Sequence, residues 1–239
     1  MTDTDWIIVD TETDGARWPI HVVEICAQRM RGWEPCGEPF RVWLNHNVPI
    51  PREVVAIHGY DRAFLRKHGI DPREAHRALA AYAGGLPFVA HNLAFDWDRV
   101  LVPEWLRLGL LDLAAHDFHL AAEVPPLTVA NAFGRRGFCS VALSRRVLGK
   151  EEVPGHGLQK LRAHFGLNAA GSAHQALGDV QTTVELICDV LGPRLREIGL
   201  ENFDAIAAFT KRTPVAACVQ MFLRREAAML PQNVSCAAL

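Results

Sequence analysis

WIIVD, residues 6–10, followed two places on by Glu12, decides how the chain is read. A short apolar run rich in β-formers predicts a buried strand. Side chains two apart on a strand point to the same face, so Asp10 and Glu12 share one. Carboxylates on a common face repel each other, and a cation relieves the cost. Taken alone, two acids in a strand-to-turn segment are ordinary solvated turn residues, so the pair needs company elsewhere in the chain.

Beyond this run, HVVEICAQRM (21–30) predicts a second strand, separated from the first by the turn TDGARWPI, and residues 41–44 a third. Residues 51–57 open with proline and suit a short helix that His58-Gly59 ends; 61–68 and 71–82 carry acidic starts and helical spacing, with Pro72 tolerated in a first turn. PFVA (87–90) reads as another buried strand, and a helix is expected from Ala94 toward Pro103. Helical spacing also marks 158–165, 177–191 and 201–209, and the tail beyond Pro214 is expected to be helical. Grouped early strands followed by strands alternating with helices indicate an α/β fold with a mixed central sheet flanked by helices. The expected organisation is one domain over 1–193 and a short helical C-terminal extension over 194–239. The stretch 114–155 reads as a variable insertion. Its pairs Arg135-Arg136 and Arg145-Arg146 fit either a loop that approaches phosphates or a solvated surface.

Composition limits the alternatives. With 49% hydrophobic residues, the 239-residue chain can bury a substantial core. A net charge of −2 argues against charge-driven coating of duplex DNA, but not against a small acidic site that recruits metal. The six cysteines form no CxxC pair, so they suggest neither a zinc site nor a disulfide framework and read as reduced thiols. The start MTDTDWIIVD has no basic n-region, and no stretch approaches the roughly 18 apolar residues of a membrane span. A soluble, cytoplasmic protein without membrane contact is expected.

Company for Asp10 and Glu12 comes from two further segments. In His91-Asn92-Leu93-Ala94-Phe95-Asp96 a strand ends, a polar pair turns the chain, and Asp96 falls early in a helix. Asn92 could serve only as a helix cap there, and Asp96 only as a favourable charge at a helix start. In His174-Gln175-Ala176-Leu177-Gly178-Asp179 the histidine precedes, and the aspartate opens, another helix. In this order the three segments resemble the DEDDh branch of the DnaQ-like 3′→5′ exonucleases, which have an RNase H-like fold. Val23-Glu24-Ile25, Ile57-His58-Gly59 and LQKLRAHFGL (158–167) support the match, which covers about residues 6–191. The five-residue step from His174 to Asp179 fits the histidine branch; the tyrosine branch would carry tyrosine near that place. Within the family the likeness is to exodeoxyribonuclease X-like and DNA polymerase III epsilon-like exonucleases, supported by the tail FDAIAAFTKRTP (203–214). The chain departs from the former after that tail, where a glycine- and lysine-rich segment is replaced by VAACVQMFLRREAAMLPQNVSCAAL.

The resemblance implies a metal-dependent hydrolase that releases nucleoside monophosphates from 3′ ends. Asp10, Glu12, Asp96 and Asp179 would hold two Mg2+ ions, with Mn2+ able to substitute, and His174 would be the general base. Thr11, Thr13, Gly15, His58, His91 and Asn92 match positions near the terminal nucleotide. Glu24 matches a position outside the metal set. Single-stranded or frayed 3′ ends, of DNA rather than RNA, are the expected substrate, as in proofreading or DNA repair. The implied protein partner is a DNA polymerase or a second copy of the chain. Two alternatives remain at this level: an exoribonuclease acting on RNA tails or short oligoribonucleotides, and an interaction subunit bound to a polymerase. Retention of all four carboxylates and His174 speaks against the second.

Overall fold

Why the carboxylates converge follows from how the first strand is shared between two layers. The structure, a computed structural model, describes residues 4–111, 134–149, 151–167 and 175–210. Its sheet contains β1 (Asp5–Thr13), β2 (Val22–Arg31), β3 (Glu34–Pro35), β4 (Phe40–Trp43), β5 (Pro87–Ala90) and β6 (Arg135–Cys139). The strand order is β3-β2-β1-β5-β6, with β4 also pairing β2. The β1–β2 and β2–β4 pairs are antiparallel, whereas β1–β5 and β5–β6 are parallel, which makes the sheet mixed. As period two requires, β1 sends Ile7 and Val9 into one core and Trp6 and Ile8 into another. The first core holds Leu79, Phe88, Trp97 and Trp105; the second holds Phe138, Val180, Ile187 and Phe203. Fully burying side chains of this kind stabilises the fold by about 1.5–3 kcal/mol each.

Helices cover both faces. α1 (Arg52–His58) ends at Gly59, whose φ of 86° places it in the left-handed region that glycine adopts freely. Asp61 and Asp71 cap α2 (Arg62–His68) and α3 (Pro72–Ala83) by accepting backbone N–H bonds. α4 runs as a wide π-helical stretch over Ala94–Leu101 and as regular helix over Val102–Arg107. It is followed by α5 (Ser140–Val147) and α6 (Leu158–Phe165). α7 runs over Ala176–Glu185, widens over Leu186–Leu191 and continues through Gly192–Glu197; α8 is Phe203–Phe209. Both wide stretches end just before a proline, Pro103 and Pro193. Proline lacks the N–H of a regular turn and its ring crowds the carbonyl four residues back, so a wider turn lets each helix continue.

Three expectations need correction. β1 extends to Thr13, so Asp10 and Glu12 lie inside the strand rather than at its end. The stretch 114–155 is not simply an inserted loop: its described part supplies β6 and α5. Arg136 is buried there in a two-pronged ion pair with Asp98, at 3.1 and 2.9 Å. A boundary after residue 193 would cut α7, and Leu195, Phe203 and Ile206 belong to the second core, so residues 194–210 pack as part of the domain. The expected helical tail beyond Pro214 lies outside the described residues.

Candidate active site

Asp10 and Glu12 project from the second half of β1, opposite Cys26 and Glu24 of β2. They face the layer that contains α7, because they continue the series begun by Trp6 and Ile8. Asp179 stands in the first turn of α7, where its N–H donates to the Gln175 carbonyl at 3.1 Å. Carboxylate oxygens of Asp10, Glu12 and Asp179 lie within 4.8 Å of one another. Gln159 on α6 donates to Asp179 Oδ1 at 2.8 Å, holding the carboxylate from the open side.

Asp96 approaches from the opposite layer. It is buried in the first turn of α4, and its Oδ1 accepts the Thr11 N–H at 3.1 Å and the Thr11 hydroxyl at 2.8 Å. The fourth carboxylate is therefore pinned to β1 and stands outside the close triplet. It remains near enough that, after burial itself, its charge contributes most to raising Asp10 well above the usual carboxylate range. Burial and then Glu24 push Glu12 up to about 8. Burial lifts Asp96 to about 7 although the Thr11 hydrogen bonds pull the other way. Each group is costly to ionise without a cation, and oxygen-only donors suit hard divalent ions.

Glu24, left outside the metal set by its sequence position, adjoins the cluster. It is fully buried and is the direct cross-strand partner of Glu12. Its Oε1 accepts Arg41 Nε–H at 2.7 Å; its Oε2 accepts the Tyr60 hydroxyl at 3.1 Å and the Ala176 N–H at 3.0 Å. The available signal was the antiparallel pairing of the first two strands, which places one carboxylate opposite the other.

The remaining site residues divide. The Thr13 hydroxyl donates to the Gly15 carbonyl at 2.9 Å, closing the turn after β1. His58 accepts the Tyr60 N–H at Nδ1 (3.0 Å), so Nε2 carries the proton and donates to the Thr13 carbonyl at 3.2 Å. His58 thereby ties that turn to α1, and burial lowers its pKa. His91 bonds Ser140 Oγ and the His156 carbonyl, both at 2.9 Å, joining β5 to α5 and to the segment before α6; burial holds it neutral, near 4. Asn92 is exposed with a left-handed φ of 78°, and its backbone carbonyl, not its side chain, accepts the Phe95 N–H. The cap position falls at Leu93, so the side-chain capping considered for Asn92 does not occur. His174 lies outside the described residues. Beside Asp179 a groove of about 380 Å³ is lined by His156, Gly157, Leu158, Gln159 and Lys160.

An exonuclease family profile matches residues 7–187. The chain belongs to this exonuclease family. The profile supports the DnaQ-like DEDDh exonuclease assignment, and the structural neighbours support an RNase H-like fold. A putative bifunctional exonuclease/endonuclease of Mycobacterium tuberculosis (strain CDC 1551 / Oshkosh) is 27% identical over 98% of the chain, which spans 33% of that relative. An uncharacterized exonuclease of Escherichia phage 186 is 28% identical, the match covering 77% of the chain and 87% of the relative. Among solved structures, exonuclease X in complex with 5′ overhanging duplex DNA matches 86% of the exonuclease chain and 99% of its own (TM-score 0.58, 21% identity). Exonuclease I of Methylocaldum szegediense matches 84% of the chain and 42% of its own (TM-score 0.61, 21% identity). At these identities the structural likeness establishes the fold alone. Among the described residues of the exonuclease, no helix is long and apolar enough to cross a membrane.

Proposed function

We propose that this exonuclease removes nucleotides from the 3′ end of DNA by metal-assisted hydrolysis, with Asp10, Glu12, Asp96 and Asp179 as the ligands of two Mg2+ or Mn2+ ions. The observation that carries the proposal is the convergence of three carboxylates within 4.8 Å of one another, with Asp96 beside them, at one end of the sheet. Two divalent ions held by these residues would supply an activated water and stabilise charge on the leaving oxygen.

The chain's own residues supply the rest. Thr11 fixes the Asp96 carboxylate, and Gln159 fixes that of Asp179. The turn Thr13–Gly15, braced by His58, receives the terminal nucleotide, and the groove along His156–Lys160 takes the strand leading to it. His174, five residues before Asp179 in sequence, accepts the proton of the attacking water on a neutral ring nitrogen. DNA is favoured as substrate because the structurally similar exonuclease X was solved with duplex DNA and exonuclease I with a dT13 oligonucleotide.

The test is digestion of matched 5′-labelled single-stranded DNA and RNA with Mg2+, with Asp10→Ala as control. A ladder of shortening DNA products that vanishes in Asp10→Ala is expected, as is slower first cleavage when a bulky group blocks the 3′ end. Cleavage of circular single-stranded DNA at a comparable rate would overturn the polarity, and faster cleavage of RNA would overturn the choice of substrate.

A further inference from the structure

We infer that Glu24 is a positioning residue for the metal site, acting through the hydrogen bond that fastens the start of α7, and with it Asp179, to β2. The inference rests on the proposal that the carboxylates hold divalent ions. Asp10 and Glu12 come from β1, whereas Asp179 comes from a helix about 170 residues later, so something must fix the helix against the strand. Glu24 is placed to do this. It lies one strand over from Glu12 in exact cross-strand register, and its Oε2 accepts the N–H of Ala176, the first residue of α7, at 3.0 Å. Asp179 follows three residues later, less than one turn away.

The carboxylate is itself held from the other side. Arg41 Nε–H binds Oε1 and the Tyr60 hydroxyl shares Oε2 with Ala176, so the fully buried side chain is fixed in place by partners on both oxygens. The Ala176 N–H is one of the donors a helix start leaves without an intrahelical partner, and an anion there also meets the positive end of the helix. Glu24 therefore gains from the contact and limits where Asp179 can stand. Changing an outer residue of this kind costs about 10–100-fold in metal affinity without removing a ligand.

Two variants reach this contact from opposite sides. Ala176→Pro removes the donor at the cost of a ring at a buried position: proline is tolerated at a first helical position, and Gln175 already has the extended backbone a residue before proline needs. Glu24→Gln removes the charge and leaves a single acceptor oxygen, which the Arg41 guanidinium claims ahead of the neutral Ala176 N–H. Mn2+ binding to the full chain is measured by calorimetry, alongside rates at rising Mn2+ and circular dichroism without metal. Both variants are expected to keep the wild-type spectrum, to bind Mn2+ about 10–100-fold more weakly, and to recover their rate at high Mn2+, whereas Asp179→Ala does not recover. If one variant fails to fold, the other carries the test. Wild-type Mn2+ affinity in a folded variant overturns the inference, as does a rate loss that no Mn2+ concentration restores. A wild-type protein that takes up no Mn2+ overturns instead the metal-site proposal beneath it.

Discussion

Asp96 differs from the other three carboxylates in being held by a neighbouring residue's backbone and side chain at once. Thr11→Val keeps the shape and the N–H bond but deletes the hydroxyl bond, so the variant is expected to lose about 1 kcal/mol of stability. It should also lose about 10–100-fold in metal affinity or activity. Urea unfolding and initial rates test the two halves separately, and unchanged rates would remove Thr11 from the site's support. Asp179→Ala is expected to abolish hydrolysis and the metal-induced rise in melting temperature together, since it deletes a proposed ligand. His174→Ala should keep most of that rise while losing roughly 10²–10⁴-fold in rate, the usual range for a general base. If it removes the rise as fully as Asp179→Ala, His174 is a ligand and another base must be sought.

At the scale of elements, what could be read from sequence was what local spacing determines. β5 and α6 have the bounds their patterns predict, and β1 falls one to three residues from its expected ends, because an apolar run or a helical stripe lies wholly inside the segment. β6 could not be read this way. RRGFC opens on two arginines, and Arg136 becomes a core residue only because Asp98, 38 residues away in sequence, waits in α4. Nor could the sequence show what Glu24, set outside the metal set by its family position, does: its Ala176 partner is 152 residues distant. The clustered carboxylates were legible because a sequence motif marks them, whereas the groups that hold them are set by tertiary contacts. Arg136→Ala takes the two-pronged partner from a buried carboxylate and is expected to cost about 3–5 kcal/mol, measured by denaturant unfolding; Asp98→Asn with Arg136→Met should cost less. A loss under about 0.5 kcal/mol for the single variant, the range of ordinary surface changes, would mean the pair does not anchor α4 to β6.

Across the whole molecule, the titrating groups pull stability in opposite directions as pH changes. His91, held down near 4, gives stability that is present above its unfolded value of about 6.5 and is lost as pH falls toward 4. Asp96 and Glu12 do the reverse. Their folded pKa values are raised, to about 7 for Asp96 and about 8 for Glu12, so their contribution is full below about pH 4 and is lost as pH rises through 7 and 8. In EDTA the melting temperature should therefore decline from about pH 6.5 to 8.5. Mg2+ should raise it by an amount that grows over that interval, because the ions bind the ionised native site. Calorimetric melts at matched pH with and without Mg2+ check this, and a metal-induced rise independent of pH would contradict it. One further consequence follows from the way β1 is shared between two layers. Asp179 arrives with the helices over one face of the sheet and Asp96 with those over the other, while Asp10 and Glu12 stand on the strand between. With these four as the proposed ligands, a chain with only one layer in place has an incomplete set. On that assignment, cutting requires both layers to be packed on the sheet, so a variant that loosens either layer is expected to lose activity along with its metal site.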